Sequence, residues 1–399
     1  MNIGIDTRLL QDKSKFRGIG YYLSHILVEI SKIDRTNEYF LYVYSGASVD
    51  LKFDSKFKHR FIEVGPFTKH ELRYKFRSSF RQPLNVTSEN IDLFLVSDPS
   101  YGIPNGVKKT VGVLYDLIPV LFSSRYPEGE FRVRSKQDLK RFLVRILSRH
   151  IYNRAYQALL RTQAIICISE STKRDLLNLF RYPKDRVLVT PLAHDPVYQP
   201  ISTAKAEKII GKYGIKRRFI IYVGGNDFRK NLEGLLVGFE KFAPKHKDLR
   251  LVLVGNDFVK GTDPDSLKIK QRIESSMFRG RIVRPGYVPN SDLAAFYSSA
   301  AAFIYPSMYE GFGLPILEAM ACGCPVIAYN NSSIPEVAGD AALLLEPEDD
   351  LAEAIKKVMT NKSLRDSMIA KGFRQAQKFS WEKTARKTLQ VLEEAGGSK

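Results

Sequence analysis

Short runs of β-branched, aromatic and other apolar residues alternate along the chain with longer stretches whose apolar positions recur at helical spacing. In the first half the runs are Met1 to Ile5, Tyr39 to Tyr44, Ile91 to Val96, Lys109 to Leu114, Ala164 to Ile168 and Val187 to Thr190. The pattern restarts with Phe219 to Val223, Leu249 to Val254, Ile282 to Pro285, Ala302 to Tyr305, Pro325 to Ala328 and Ala342 to Leu345. Strand-sized runs separated by helix-sized segments predict βαβ units and parallel sheets, since a parallel partner is reached only through a crossover. Two sets of similar size predict two doubly wound α/β domains. Between them Pro191, Pro196 and Pro200 disfavour both helix and interior strand, which places the linker there. The expected boundaries are residues 1–195, 196–378 and 379–399. In the last segment Ser380 is a candidate N-cap, and Trp381, Ala385, Leu389 and Leu392 share one helical face that needs a surface to cover.

Composition narrows the class. The 399 residues are 44% apolar and 26% charged, which suits two or three core-forming domains and excludes a disordered chain, a coiled coil or a small disulfide scaffold. Lys and Arg number 62 against 43 Asp and Glu, and the net charge of +19 points to an anionic partner. Cys167, Cys322 and Cys324 have neither disulfide-framework nor CxxC spacing, so free thiols in a reducing compartment are expected. Asp6 and Arg8 interrupt the opening apolar run, and no 18-residue stretch is apolar and uncharged. Neither a secretory signal nor a membrane-spanning helix is expected.

Parallel α/β sheets bind ligands outside the carboxyl ends of their strands, where Gly-rich turns and helix N-termini face anions. Three junctions have that character. Arg17-Gly-Ile-Gly-Tyr21 is placed in the loop before a helix running from about Tyr21 to Ser31, and Gly18 and Gly20 suit either a ligand loop or a plain tight turn. In Tyr222-Val-Gly-Gly-Asn-Asp-Phe-Arg-Lys-Asn-Leu232, Gly224 and Gly225 permit close backbone approach. Arg229 and Lys230 there oppose the dipole of the following helix unless an anion is bound, although solvated cations on a loop fit the same residues. The densest junction runs from Tyr305 to Ile327. Gly311 and Gly313 break the chain, Pro315 suits a first helical turn, Glu310 falls in the loop and Glu318 one turn into the helix. Helix N–H groups there offer donors to a phosphate and the carboxylates offer acceptors to sugar hydroxyls.

These residues resemble the retaining glycosyltransferases of family 4, the glycosyltransferase group 1 enzymes. The resemblance lies in Tyr222 to Leu232, Gly286 to Leu293 and above all Ala300 to Pro347, with further matches at Arg17 to Tyr21, Tyr115 to Pro119 and Cys167 to Leu176. Tyr-Asp-Leu-Ile-Pro at 115–119 and Arg-Lys-Asn at 229–231 are most similar to bacterial mannosyltransferases of surface-polysaccharide assembly. The resemblance implies the GT-B architecture: two Rossmann-like domains facing across a cleft, an N-terminal one for the acceptor, a C-terminal one for the nucleotide sugar, and a last helix returning to the first. It implies that Glu310 is the first carboxylate of the EX7E motif, beside the donor sugar, and that Glu318 is the second, accepting from ribose hydroxyls. Gly311, Phe312, Gly313 and Leu314 would hold sugar and β-phosphate, and Lys230 would neutralise the leaving diphosphate. Gly18 and Gly20 would face the same phosphates, with Gly224, Gly225, Tyr287 and Val288 completing the donor set.

Two departures stand out. Gly225 occupies the place of a common Arg, so that Arg229 supplies the second phosphate charge or that charge is missing, and Tyr115 precedes Asp116 where many members have His. Tyr115 and Asp116 are carried over as catalytic-site candidates, although a tyrosine is a poor proton acceptor near neutral pH.

The implied reaction is transfer of a hexose, mannose from GDP-mannose, with retention, to a lipid-linked or polysaccharide glycan acceptor, without metal or other cofactor. A nucleotide-sugar epimerase of the same fold, or a non-catalytic membrane or nucleic-acid binding protein, is the alternative. From Phe131 to Gln163 nine basic residues face one acidic one, and Arg141, Arg145 and Arg149 form a helical stripe. Lys69 to Arg81 adds five more cations among aromatics. This suits an anionic membrane surface holding a polyprenyl-diphosphate acceptor, and hence a cytoplasmic, peripheral location on the inner face of the cell membrane. A solvated face over a core helix is the plainer reading, and no recognition motif supports specific nucleic-acid binding.

Overall fold

The computed structural model describes residues 1–46, 48–66, 84–86, 90–123, 152–216 and 218–397. The stripe Arg141, Arg145 and Arg149 and the segment Lys69 to Arg81 lie outside them. The chain forms two compact units, Met1–Leu192 with Trp381–Lys399, and Ala193–Ser380.

The first unit is built on a seven-stranded parallel sheet in the order β3-β2-β1-β4-β5-β6-β7. Its strands are β1 (Asn2–Asp6), β2 (Glu38–Ser45), β3 (His59–Pro66), β4 (Leu93–Val96), β5 (Thr110–Leu114), β6 (Ala164–Cys167) and β7 (Val187–Val189). The second unit has six parallel strands in the order β10-β9-β8-β11-β12-β13. These are β8 (Phe219–Val223), β9 (Arg250–Val254), β10 (Ile282–Gly286), β11 (Ala302–Tyr305), β12 (Val326–Tyr329) and β13 (Ala342–Leu345). Central strands such as β4, β5 and β11 are buried along their whole length, which is why they read as unbroken apolar runs.

Strand β3 is the one the apolar pattern does not show. Among the described residues it pairs only with β2, at the sheet edge; it leaves Phe61 45% exposed and carries His59, Arg60 and Glu63. Charged edge strands avoid pairing with other chains, and that same charge hides them from a search for apolar runs.

The opening helix spans Gly18–Ile33 and therefore begins three residues before the expected start. Gly18 and Gly20 lie in its first turn and not in a loop ahead of it. A Cβ at Gly20 would come within 2.4 Å of the Lys15 backbone, so this glycine lets the helix pack against the preceding 3-10 turn. The last helix, Trp381–Gly396, buries Trp381, Thr384, Ala385, Thr388, Val391 and Leu392, with Leu389 half-buried. It packs on the opening helix, where Trp381 stacks flat on His25 with ring centroids 4.6 Å apart. Tyr22 Oη sits 2.9 Å from Thr190 Oγ1 and 3.4 Å from Thr388 Oγ1, joining the opening helix, the end of β7 and the last helix in one buried cluster.

Candidate active site at the ends of the second sheet

Strand order reverses between β8 and β11, and ligands of doubly wound sheets bind outside the carboxyl ends at such a reversal. The loops after these two strands meet there. After β8, Asp227 accepts a hydrogen bond from the Arg229 N–H at 3.0 Å and opens a 3-10 turn over Phe228–Lys230. Asn231, at φ 48°, caps the helix Leu232–Phe242 through its Oδ1, which accepts from Gly234 N. The turn directs Lys230 at the loop after β11: its Nζ donates to Glu310 Oε1 at 2.6 Å and to Tyr305 Oη at 3.3 Å.

Glu310 is buried, and Ser307 Oγ also donates to its Oε1. Burial by itself would raise its pKa, but the charges of Lys230 and Arg229 and the bonds from Lys230 and Ser307 hold the carboxyl below the usual range. Glu318 has the opposite setting. Burial pushes it up to about 8, against a hydrogen bond from Tyr297 Oη at 3.3 Å and with the charge of Asp195 adding to the rise. The two carboxyls of one motif thus shift in opposite directions, because cations face Glu310 and burial dominates at Glu318.

Gly313, at φ 101°, is the N-cap of the helix Leu314–Ala321 and has no side chain to cap it, and Pro315 lies in the first turn. The leading N–H groups of a helix have no intrahelical acceptor, so this end is suited to an anion. The loop that carries Glu310 runs directly into this helix, four residues before Leu314.

Arg229, expected to offer a second charge to phosphate, is buried; its Nη1 donates to the Tyr309 carbonyl at 2.9 Å and its Nε lies 2.9 Å from Asp227 Oδ1. It holds the two loops together. The two glycines at 224 and 225 approach protein atoms: a Cβ would come within 2.9 Å of Tyr222 Oη at Gly224 and of Asp257 Oδ2 at Gly225. After β10, Tyr287 is 60% exposed while Val288 is in the core. In the first unit, Tyr115 Oη donates to the Ser97 carbonyl at 2.9 Å and Asp116 accepts from Ile118 N at 3.0 Å.

Residues that motif spacing does not reveal complete the site. The loop after β12 embraces the Glu310 loop: Asn331 Nδ2 donates to the Ser307 carbonyl at 3.0 Å, and Glu310 N donates to Ser332 Oγ at 2.9 Å. The buried Ser333 Oγ lies 3.0 Å from the Glu310 carbonyl and 2.8 Å from that of Phe312. The available signal was the polar run Asn330-Asn331-Ser332-Ser333 between a strand and a helix. Among the described residues no group of three or more His, Cys, Asp or Glu is arranged to hold a metal ion, and no helix is long and apolar enough to cross a membrane.

Solved structures share this architecture. Sucrose-phosphate synthase from Thermosynechococcus elongatus superimposes with a TM-score of 0.73 at 18% identity, covering all of both chains. Anabaena HepE, solved in complex with UDP-glucose, gives 0.67 at 15% identity over 99% of this chain and 100% of that one. The two parallel Rossmann-like units define the GT-B fold of glycosyltransferases. Residues 205–375 match the family described as glycosyl transferases group 1. The chain is 31% identical over 299 residues to the O-antigen chain mannosyltransferase B of Escherichia coli, spanning 74% of this chain and 73% of that protein. It is 27% identical over 426 residues to the serotype-specific mannosyltransferase WbdA of Escherichia coli, spanning 98% of this chain and 48% of WbdA, about half its length. The chain belongs to the group 1 glycosyltransferases and is a hexosyltransferase.

Proposed function

We propose that the protein transfers mannose from GDP-mannose, with retention of configuration, to a glycan acceptor in surface-polysaccharide assembly. The observation that supports this reading best is the Lys230–Glu310 pair beside the glycine-led start of Leu314–Ala321, at the switch point of the second sheet. The mannosyltransferase names of the relatives supply the sugar. In this reading the nucleotide diphosphate leaves with Lys230 and the helix N–H groups neutralising its charge, and Glu310 lies against the sugar. Glu318 accepts from the ribose. One β-phosphate oxygen takes the proton of the acceptor hydroxyl that attacks from the same face, so catalysis is positioning and electrostatic support of the leaving group. Lys230 and the helix end carry the leaving-group charge, so this reading needs no divalent metal.

The reading is tested by thermal shift with GDP, UDP and ADP, followed by product analysis with the matching sugar donors. GDP is expected to raise the melting temperature most, by mass action on the folded state. Transfer from GDP-mannose giving a β-linked product would overturn retention, and transfer only from a UDP-sugar would overturn the donor.

A further inference from the structure

Only two non-glycine residues among the described ones have positive φ, Asn231 at 48° and Ser332 at 47°. Both belong to the site. Asn231 directly follows Lys230 and ends the turn that directs it. Ser332 accepts from the Glu310 N–H through Oγ at 2.9 Å and donates to Asn331 Oδ1 at 3.0 Å. A left-handed backbone is disfavoured for any residue with a Cβ, and such conformations persist where surrounding contacts over-determine them, most often at functional sites. Asn tolerates it through local side-chain bonds; Ser has less of that excuse. The two loops follow β8 and β12, the strands on either side of β11, and converge on the same ion pair.

We propose that Asn231 and Ser332 are positioning residues, whose left-handed backbones aim Lys230 and Glu310 at each other and at the substrate. An αR or extended backbone at Asn231 would swing Lys230 off the Glu310 loop, and the same change at Ser332 would withdraw the acceptor of the Glu310 N–H. The inference rests on the reading of Lys230 and Glu310 given above. Asn231 acts through a residue that faces the diphosphate, so it governs both nucleotide affinity and turnover. Ser332 acts through the residue that faces the sugar, so it governs turnover alone.

Glycine and alanine substitutions separate backbone conformation from side-chain loss, since glycine adopts positive φ freely and alanine does not. The variants Asn231→Gly, Asn231→Ala, Ser332→Gly and Ser332→Ala are compared for kcat, GDP dissociation constant and melting temperature. The substrate is whichever of GDP-mannose, UDP-glucose and UDP-galactose the wild type hydrolyses fastest. Asn231→Gly is expected to keep kcat within about threefold; Ser332→Gly, which keeps the backbone but loses the Oγ that accepts from the Glu310 N–H, is expected to lose about threefold, and both alanine variants about tenfold or more, as misplacement of a positioned group does. GDP affinity should weaken with Asn231→Ala and stay within about twofold of wild type with Ser332→Ala. A purely structural role would lower the melting temperature of the alanine variants and leave kcat of the folded protein unchanged, which would overturn the proposal. Glycine variants as impaired as their alanine counterparts would overturn it as well. Glu310→Gln and Lys230→Ala in the same assay keep the two readings apart: wild-type rates in these two reject the site, whereas their loss beside fully active alanine variants rejects the positioning alone. If Asn231→Ala does not fold, the Ser332 pair decides by the same criteria.

Discussion

Lys230 and Glu310 neutralise one another at 2.6 Å, so replacing either leaves the other with an unmatched charge in a buried setting. Lys230→Ala is expected to lower kcat by about 10²-fold, the effect of removing one preorganised charge from a developing anion. Steady-state kinetics at saturating donor check this, and an unchanged rate would remove Lys230 from the reaction. Glu318 yields a pH prediction. Its folded-state carboxyl sits at about 8, above the ordinary value, so the folded protein holds this proton through neutral pH while the unfolded chain has released it. The resulting stabilisation is present below the unfolded pKa and declines as pH rises from about 4 toward 8. A ribose hydroxyl donates to the ionised form, so GDP affinity should rise between pH 6 and 8. In Glu318→Gln that rise should vanish, measured by calorimetry across the range; a persistent pH slope would assign it to another group.

At the scale of elements, the opening helix and its glycine are read differently in three dimensions. Gly20 adjoins the Lys13–Phe16 turn so closely that Gly20→Ala must push helix and turn apart, at a cost of about 1–3 kcal/mol by overpacking. Chemical denaturation of the variant tests this, and unaltered stability together with weaker donor binding would restore the ligand-loop reading. The first sheet has its own switch point, between β1 and β4, and there Arg8 grips Asp6 through Nε at 2.9 Å and Nη2 at 2.6 Å, with Tyr101 beneath the guanidinium at 4.6 Å. The pair is almost wholly buried, so Arg8→Met should destabilise by about 3–5 kcal/mol because it strands the carboxylate. Asp6→Asn with Arg8→Met together should recover part of that loss, which a double-mutant cycle in denaturant reads directly.

At the scale of the whole molecule, the chain passes from the first unit to the second at Ala193 and returns at Trp381. The last helix is therefore a component of the first unit's core. Deleting residues 381–399 should expose Tyr22 and the opening helix and unfold the first unit's calorimetric transition before the second's. Much of the net charge of +19 is concentrated from Phe131 to Gln163, which carries nine basic residues and one acidic one. If Arg141, Arg145 and Arg149 dock on anionic lipid, each contributes about 1 kcal/mol, and changing all three to Glu should release the protein from phosphatidylserine vesicles at low salt. Donor hydrolysis should survive, because Lys230, Glu310 and Glu318 all lie in the second unit. Retained vesicle binding would leave the stripe as a solvated face.

The sequence by itself determined the class of fold, because strands buried on both faces must be apolar throughout and crossovers must be helical; β8, β11 and β13 are legible to the residue. It also singled out Glu310, Glu318 and Lys230 as candidates, since their place in Gly-rich junctions is a local property. Tertiary structure decided what those residues face. Only the adjacency of β8 and β11 brings Lys230 to Glu310 across 80 positions of chain and diverts Arg229 to the Tyr309 carbonyl, while Glu318 is buried beside Tyr297. Charge at a junction is written in the chain, but its partner is chosen by strand order, and strand order depends on which faces the whole sheet buries. For the same reason Asn331, Ser332 and Ser333 are unremarkable in one dimension and hold the Glu310 loop in three.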